Sequence, residues 1–358
     1  MELKKILVVN LDRIGDVVRS TFLFRVLKER YPDCYLACLA SSPADILLRN
    51  NPYLDDVFYM PHQEVRDIMK DAKTILHMSF SAFRLFDALR LHQFDLVVNP
   101  FSDFGAIAVR YLKPRYMLGR AMDKQGKFVV YGKETAKFVY IMSNQRGLRS
   151  KFRYNFIDIY SRILKDIGIS VEAKDIFPQV HIGPRDRQFA ENFLADNKVK
   201  STDVLVGFQI GAFSKDKMWP LEKFRKLAEI LQNEFHAQIL VTGSSYEART
   251  IISDMTSSMT KKPIIAAGKT DLLQTAALIN KCALFISNDT GPMHIAAALD
   301  IPVIALFGLL RTIPEESRPW GLRHCVLVKE RVKDIPLDEV LSAAQNLLKG
   351  RAGVQNYL

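Results

Sequence analysis

The segment Ser287-Asn288-Asp289-Thr290-Gly291-Pro292-Met293-His294-Ile295-Ala296-Ala297-Ala298-Leu299 constrains the fold of this chain more than any other stretch. The apolar run before it, Ala283 to Ile286, predicts a buried strand that ends in small polar residues and passes directly into a helix-forming segment. Strand, tight turn and helix in that order are the building unit of a parallel α/β sheet. The free N–H groups of the first helical turn, with the positive end of the helix dipole, also make a site for phosphate. Gly291 lets a ligand approach the backbone, and Pro292 suits a first turn in which its missing N–H has no partner to lose. Alone, the segment describes equally well an ordinary helix capped by Asp289 or Thr290.

The same alternation recurs along the chain. Ile6–Val9, Tyr35–Leu39 and Phe94–Val98 predict strands, with a helix over Val17–Arg30. Between 120 and 150 no clear periodicity shows, and a helical spacing returns over Phe152–Ile167. After a crossing segment around Pro178–Pro184 a second series starts. Its strands are Val204–Phe208, Gln238–Thr242, Pro263–Ala266, Ala283–Ser287 and Pro302–Phe307. Helices fit between them at Leu221–Phe235, Tyr246–Met255, Asp271–Asn280 and Met293–Asp300. A chain of 358 residues is too long for one typical core. The expectation is therefore α/β, with two Rossmann-like doubly wound domains over 1–175 and 176–335. A C-terminal helix and tail fill 336–358, and the helix, Leu337–Leu348, suits either domain.

Composition removes several classes of function. The longest apolar run, Ile301–Leu310, is broken by Pro302 and Gly308, well short of the roughly 18–20 residues of a membrane helix. The N-terminus has Lys4-Lys5 and one short strand before Asn10 and Asp12, which is no signal peptide, so a cytoplasmic protein is expected. The four cysteines (Cys34, Cys38, Cys282, Cys325) lack CxxC spacing and the histidines lack HExxH or HxH, so neither metal nor disulfide framework is expected. Asp55-Asp56 falls in an expected connection after Pro52 and is a poor metal motif. The net charge of +11 is uneven: residues 101–150 hold 10 Lys or Arg against 3 Asp or Glu, hence +7. The cations are Arg110, Lys113, Arg115, Arg120, Lys124, Lys127, Lys133, Lys137, Arg146 and Arg149, interleaved with Tyr111, Tyr116, Phe128, Tyr131, Phe138 and Tyr140. Such a stretch is either a solvated basic face or an attractor of polyanions. No nucleic-acid module accompanies it, so an anionic membrane face or acceptor ranks above nucleic acid.

Ligands of open α/β sheets bind beyond the carboxyl ends of the strands. Asn10-Leu11-Asp12-Arg13-Ile14-Gly15-Asp16-Val17 follows the first strand and lacks the GxGxxG of a dinucleotide site. Asp16 suits either a helix cap or a general base that removes a proton from a hydroxyl, with Arg13 close enough to hold a phosphate or that carboxylate. Lys217, in Asp216-Lys217-Met218-Trp219-Pro220, suits either surface charge beside a buried Trp219 or a cation on a leaving diphosphate. Glu247, after Gly243-Ser244, suits a helix first turn or the two hydroxyls of a ribose. His294 faces phosphate or core. Asp289 is out of place beside a phosphate, so it caps the helix, binds sugar hydroxyls or turns away.

In this order and spacing the motifs resemble those of the ADP-heptose:lipopolysaccharide heptosyltransferases, glycosyltransferase family nine. The resemblance covers nearly the whole chain. It is carried by Arg13-Ile14-Gly15-Asp16-Val17, Lys217-Met218-Trp219-Pro220, Gly243-Ser244 with Glu247, and Asp289 to His294 through Pro302 and Phe307-Gly308, with Arg318-Pro319-Trp320-Gly321 as a late turn. It implies a GT-B architecture, two facing Rossmann-like domains with a cleft between them, the first for acceptor and the second for nucleotide-sugar donor. It implies an inverting glycosyltransferase in which Asp16 is the base and Lys217 meets the departing diphosphate. Donor binding would fall to Arg13, Gly15, Lys217, Glu247, Asp289, Thr290, Gly291 and His294, with no cofactor and no metal. The implied partners are a nucleotide sugar (ADP-heptose) and an anionic glycolipid acceptor at the cytoplasmic face of the inner membrane. Phe22 stands where the family often has proline, which bears on the acceptor more than on the chemistry. A same-fold transferase for another sugar nucleotide or acceptor, a nucleotide-sugar epimerase and a catalytically silent binding module remain the alternatives.

Overall fold

The apolar runs become strands buried on both faces. A computed structural model describes residues 2–61, 80–100, 102–145, 155–310, 312–321 and 323–350. It divides into two compact units, Met1–His181 and Ile182–Leu358. In the first, β1 (Lys5–Asn10) is buried from Ile6 onward and pairs in parallel with β2 (Tyr35–Ser41) and β4 (Leu96–Asn99). Strand β3 (Asp56–Met60) extends one side, and β5 (Tyr116–Met122) and β6 (Phe128–Tyr131) the other, giving a six-stranded order of β3-β2-β1-β4-β5-β6. Only β6 runs antiparallel to its neighbour. Helices α1 (Ile14–Arg30), α2 (Phe80–Leu91), α3 (Asp103–Leu112), α4 (Lys133–Gln145) and α5 (Asp158–Asp166) complete the described part of this unit. Phe22, on α1, is fully buried and meets the Tyr160 ring edge-on, 5.9 Å between centroids.

The second unit opens with α6 (Pro184–Asp196) and continues with β7 (Leu205–Gln209), α7 (Leu221–Glu234) and β8 (Gln238–Thr242). Next come α8 (Ser245–Glu247), a π turn over Ala248–Ile252, α9 (Ser253–Thr256), β9 (Ile264–Ile265) and α10 (Leu272–Ile279). The last elements are β10 (Leu284–Asn288), α11 (Gly291–Ala298), β11 (Val303–Gly308), α12 (Pro314–Ser317), β12 (His324–Lys329) and α13 (Leu337–Leu348). The order β12-β11-β10-β7-β8-β9 is parallel throughout. Each sheet thus reverses its winding once, between β1 and β4 and between β7 and β10, and a doubly wound sheet binds its ligand beyond such a point.

Several expected elements differ in detail. The helix expected over Tyr246–Met255 is interrupted by the π turn. The helix expected from Phe152 is observed over Asp158–Asp166, its expected start lying outside the described residues. The aperiodic stretch after 120 contains the β5–β6 hairpin and α4, while Arg146 and Arg149 lie outside the described residues. Asp56 opens β3 instead of sitting in a connection; this edge strand is half-exposed and so carries no apolar run. Helix α13 packs on the second unit, with Val340 and Ala344 in the core that holds Trp219 and Phe224. All four cysteines are buried and free. No helix of the described residues is long and apolar enough to cross a membrane.

Candidate active site

In the second unit the site grows from the end of β10. Asn288 is fully buried; its Nδ2 donates to the Ile210 carbonyl at 2.8 Å and its Oδ1 accepts the Trp219 N–H at 2.9 Å. Trp219, also fully buried, donates its Nε1–H to the Ile335 carbonyl at 3.0 Å. One amide therefore ties the loop after β7 to the end of β10, across the winding reversal. Lys217, two positions before that anchor, comes within 2.5 Å of Asp289, Nζ to Oδ2. The Thr312 hydroxyl, from the loop after β11, donates to the same oxygen at 2.8 Å. Asp289 does not cap the helix: Thr290 is the N-cap of α11, with Gly291 and Pro292 in its first two positions. His294, a turn further in, is buried.

Glu247 ends α8 at the neighbouring strand. Its Oε2 accepts the Ser244 N–H at 2.6 Å while the Ser244 hydroxyl accepts the Glu247 N–H at 3.2 Å, a reciprocal capping box. Gln209, the last residue of β7, donates to Glu247 Oε1 at 3.4 Å and accepts from Thr242 at 2.8 Å. Gly211 has no side chain for a packing reason: a Cβ there would lie 1.5 Å from Glu247 Oε1. The carboxylate is thus seated against the loop that carries Lys217.

In the first unit Asp16 lies at the third position of α1. Its Oδ2 accepts the Arg13 N–H at 3.3 Å, and its Oδ1 accepts from the Arg19 guanidinium. Arg19 is almost fully buried and lies over the Phe156 ring, 5.2 Å from its centroid. The Asp16 carbonyl accepts from Asn10 Nδ2 at 3.1 Å and from the Tyr160 hydroxyl at 3.2 Å, which pins this turn to β1 and α5. Gly15 is buried on the inner side of the turn. Asp12 behaves differently: burial, then the negative charges of Asp16 and Asp103, push its carboxyl up to about 7, against the opposing pull of Arg13 and Arg19. Asp103 itself pairs with Arg120.

The second unit brings together Lys217, Asp289, Thr290 and Gly291, with Glu247 seated alongside through Gln209 and Gly211. Arg13, Gly15 and Asp16 belong to the first unit. Sequence reasoning did not single out Asp12, Arg19, Asn288 or Thr312. Arg19 was accessible through its spacing, one helical turn from Asp16 and able to pair with it. Thr312 carried no signal.

A family model described as glycosyltransferase family 9 (heptosyltransferase) matches residues 82–340, well over half the chain. The chain belongs to this family. Among curated proteins it is similar to lipopolysaccharide heptosyltransferase 2 of Salmonella typhimurium, 27% identical over 314 residues that span 85% of this chain and 82% of that protein. Among solved structures it is similar to the family 9 glycosyltransferase of Veillonella parvula, with a TM-score of 0.79 and 22% identity over 98% of this chain and 99% of that one. It is also similar to the ADP-heptose LPS heptosyltransferase II of E. coli, with a TM-score of 0.71 and 22% identity over 98% of this chain and 100% of that one. Two Rossmann-like parallel-sheet domains are the fold it shares with them. As a family 9 member the chain is a glycosyltransferase.

Proposed function

We propose that this glycosyltransferase moves a heptose from ADP-heptose to the core of a lipopolysaccharide precursor, with inversion at the anomeric carbon. The observation that carries this reading is the Lys217–Asp289 pair beside the N-terminus of α11, where a cation and free N–H groups stand together. In this reading the first unit, Met1–His181, serves the acceptor, and the second, Ile182–Leu358, serves the donor. Lys217 and the N–H groups at Thr290–Gly291 meet the diphosphate, Glu247 accepts the ribose hydroxyls, and His294 supports the same pocket. Arg13 and Gly15 lend a charge and a close backbone approach beside Asp16.

The reaction is a displacement. An acceptor oxygen attacks the anomeric carbon, the bond from that carbon to the diphosphate oxygen breaks, and Asp16 takes the hydroxyl proton. Negative charge grows on the departing nucleoside diphosphate, where Lys217 and the α11 dipole stabilise it. Arg19, buried under Asp16, fixes the direction in which that carboxylate points.

The basic stretch between 101 and 150 fits the anionic acceptor and the cytoplasmic face of the inner membrane. Within its described part, Phe128 and Tyr131 of β6 are exposed, and Arg120 stacks on Phe128 at 4.8 Å. An apolar ring under a cation and a tyrosine with a polar hydroxyl suit a headgroup layer.

The test is a sugar-nucleotide panel scored by protection against thermal unfolding, followed by turnover of the donor that protects best. Asp16→Ala is expected to keep donor binding and lose about 10²–10⁴-fold in turnover, the usual share of a general base. Full activity in that variant refutes the base assignment. Protection by a different sugar nucleotide replaces the donor, and donor consumption without acceptor identifies an epimerase instead.

A further inference from the structure

Resting on the reading that Lys217 meets the donor diphosphate, we propose that Thr312 is a positioning residue: its hydroxyl takes over as partner of Asp289 when Lys217 turns to phosphate. The geometry is specific. Lys217 Nζ, at 2.5 Å, and Thr312 Oγ1, at 2.8 Å, share one oxygen of Asp289, Oδ2. The Asp289 side chain is only 10% exposed, so water is a poor substitute for a lost partner.

A carboxylate beside a diphosphate opposes its binding by like-charge repulsion and by holding the Lys217 ammonium. In the free protein Oδ2 has two donors. When Lys217 is drawn onto phosphate, it is shared between two anions, and the Thr312 hydrogen bond matters more than before. Thr312 therefore lowers the cost of releasing or sharing Lys217. It does so from the loop after β11, whose neighbours Leu309, Leu310 and Ile313 are exposed. Removing the hydroxyl leaves Asp289 dependent on Lys217 alone, and the nucleotide must compete for that ammonium.

The experiment measures ADP affinity by calorimetry on the full chain, for Thr312→Val and Thr312→Ser in native and Asp289→Asn backgrounds, with Lys217→Met as control. Thr312→Val is expected to weaken ADP binding about tenfold, the low end of what a hydrogen bond to a charged group is worth. Thr312→Ser, which keeps the hydroxyl, restores most of the affinity. In the Asp289→Asn background the valine substitution loses its effect, because no carboxylate is left to be satisfied. Loss of affinity that persists in Asp289→Asn overturns the proposal, as does unchanged or tighter binding in Thr312→Val. Lys217→Met separates the two levels. If it leaves ADP affinity unchanged, the diphosphate reading itself fails; if it weakens ADP while Thr312→Val does not, only the role of Thr312 fails.

Discussion

Gly211→Ala tests how tightly the candidate ribose residue is seated. A Cβ at position 211 would stand 1.5 Å from Oε1, 2.4 Å from Cδ and 3.0 Å from Cγ of Glu247. Gly211 is absent from the left-handed positions of the backbone, so alanine meets no conformational strain of its own. The carboxylate must therefore swing away, abandoning Gln209 and the 2.6 Å bond from the Ser244 N–H. Losing that charge-assisted bond costs about 1.5 kcal/mol. Against it, alanine restricts the unfolded chain and returns about 0.5 kcal/mol. The net is a loss of about 1 kcal/mol, or roughly 2–4 °C in the melting temperature of a unit of this size. The sign then reverses in a Glu247→Ala background, where the three atoms nearest the new Cβ are gone and the unfolded-chain gain of about 0.5 kcal/mol takes over. Differential scanning calorimetry of the four proteins measures both steps. A Gly211→Ala loss that is as large without Glu247 as with it refutes the reasoning.

Two further outcomes follow from the charges. Asp12 is held neutral to higher pH in the folded protein than in the unfolded chain, its carboxyl raised from 3.8 to about 7, so its penalty on stability is absent at low pH and grows as pH rises between those values. Asp12→Asn should therefore melt close to the native protein below about pH 4 and well above it at pH 8; an identical difference at both values, by thermal denaturation, removes the account. Binding to vesicles containing anionic lipid is expected to fall steeply between low and physiological salt, as an electrostatic attachment must. Salt-independent or absent binding in a sedimentation assay would end the idea that the basic stretch meets a membrane.

The central strands were legible because they are buried on both faces and so appear as unbroken apolar runs: Ile6–Val9, Leu205–Phe208 and Leu284–Ile286 needed only their neighbours in sequence. The edges were less so. Strand β3 alternates weakly and begins with Asp56, and β6 has exposed ends, so neither presents a run. Among candidate site residues, Asp16, Lys217, Glu247 and Thr290 stood out because each follows a strand, where ligands of such sheets collect. Their pairings did not. Asp289 is 72 positions from Lys217, and the amide that aligns their loops, Asn288, spans 69 to Trp219. Local spacing says nothing about contacts that only the winding of the sheet creates. The same holds in part for Asp12, whose carboxyl is raised by burial first, then by Asp16, then by Asp103 from the far side of the reversal.

Both winding reversals hold a carboxylate paired with a cation, and the relative exposure of the two partners supports the roles proposed for them. In the first unit Arg19 is 6% exposed and Asp16 24%. In the second the order of charges is inverted: Asp289 is 10% exposed and Lys217 20%. The more deeply buried member of each pair cannot reach a substrate without dragging its partner, so it acts as support. The outer member is held in direction yet faces outward. This agrees with the proposal that Asp16 meets a hydroxyl and Lys217 a diphosphate. This accounts for an acid in a phosphate site. On the proposed reading Asp289 orients Lys217 toward the donor, and its own charge is contained by that lysine and by Thr312. Removing the buried member should consequently misdirect the outer one, while removing the outer member takes the chemistry away.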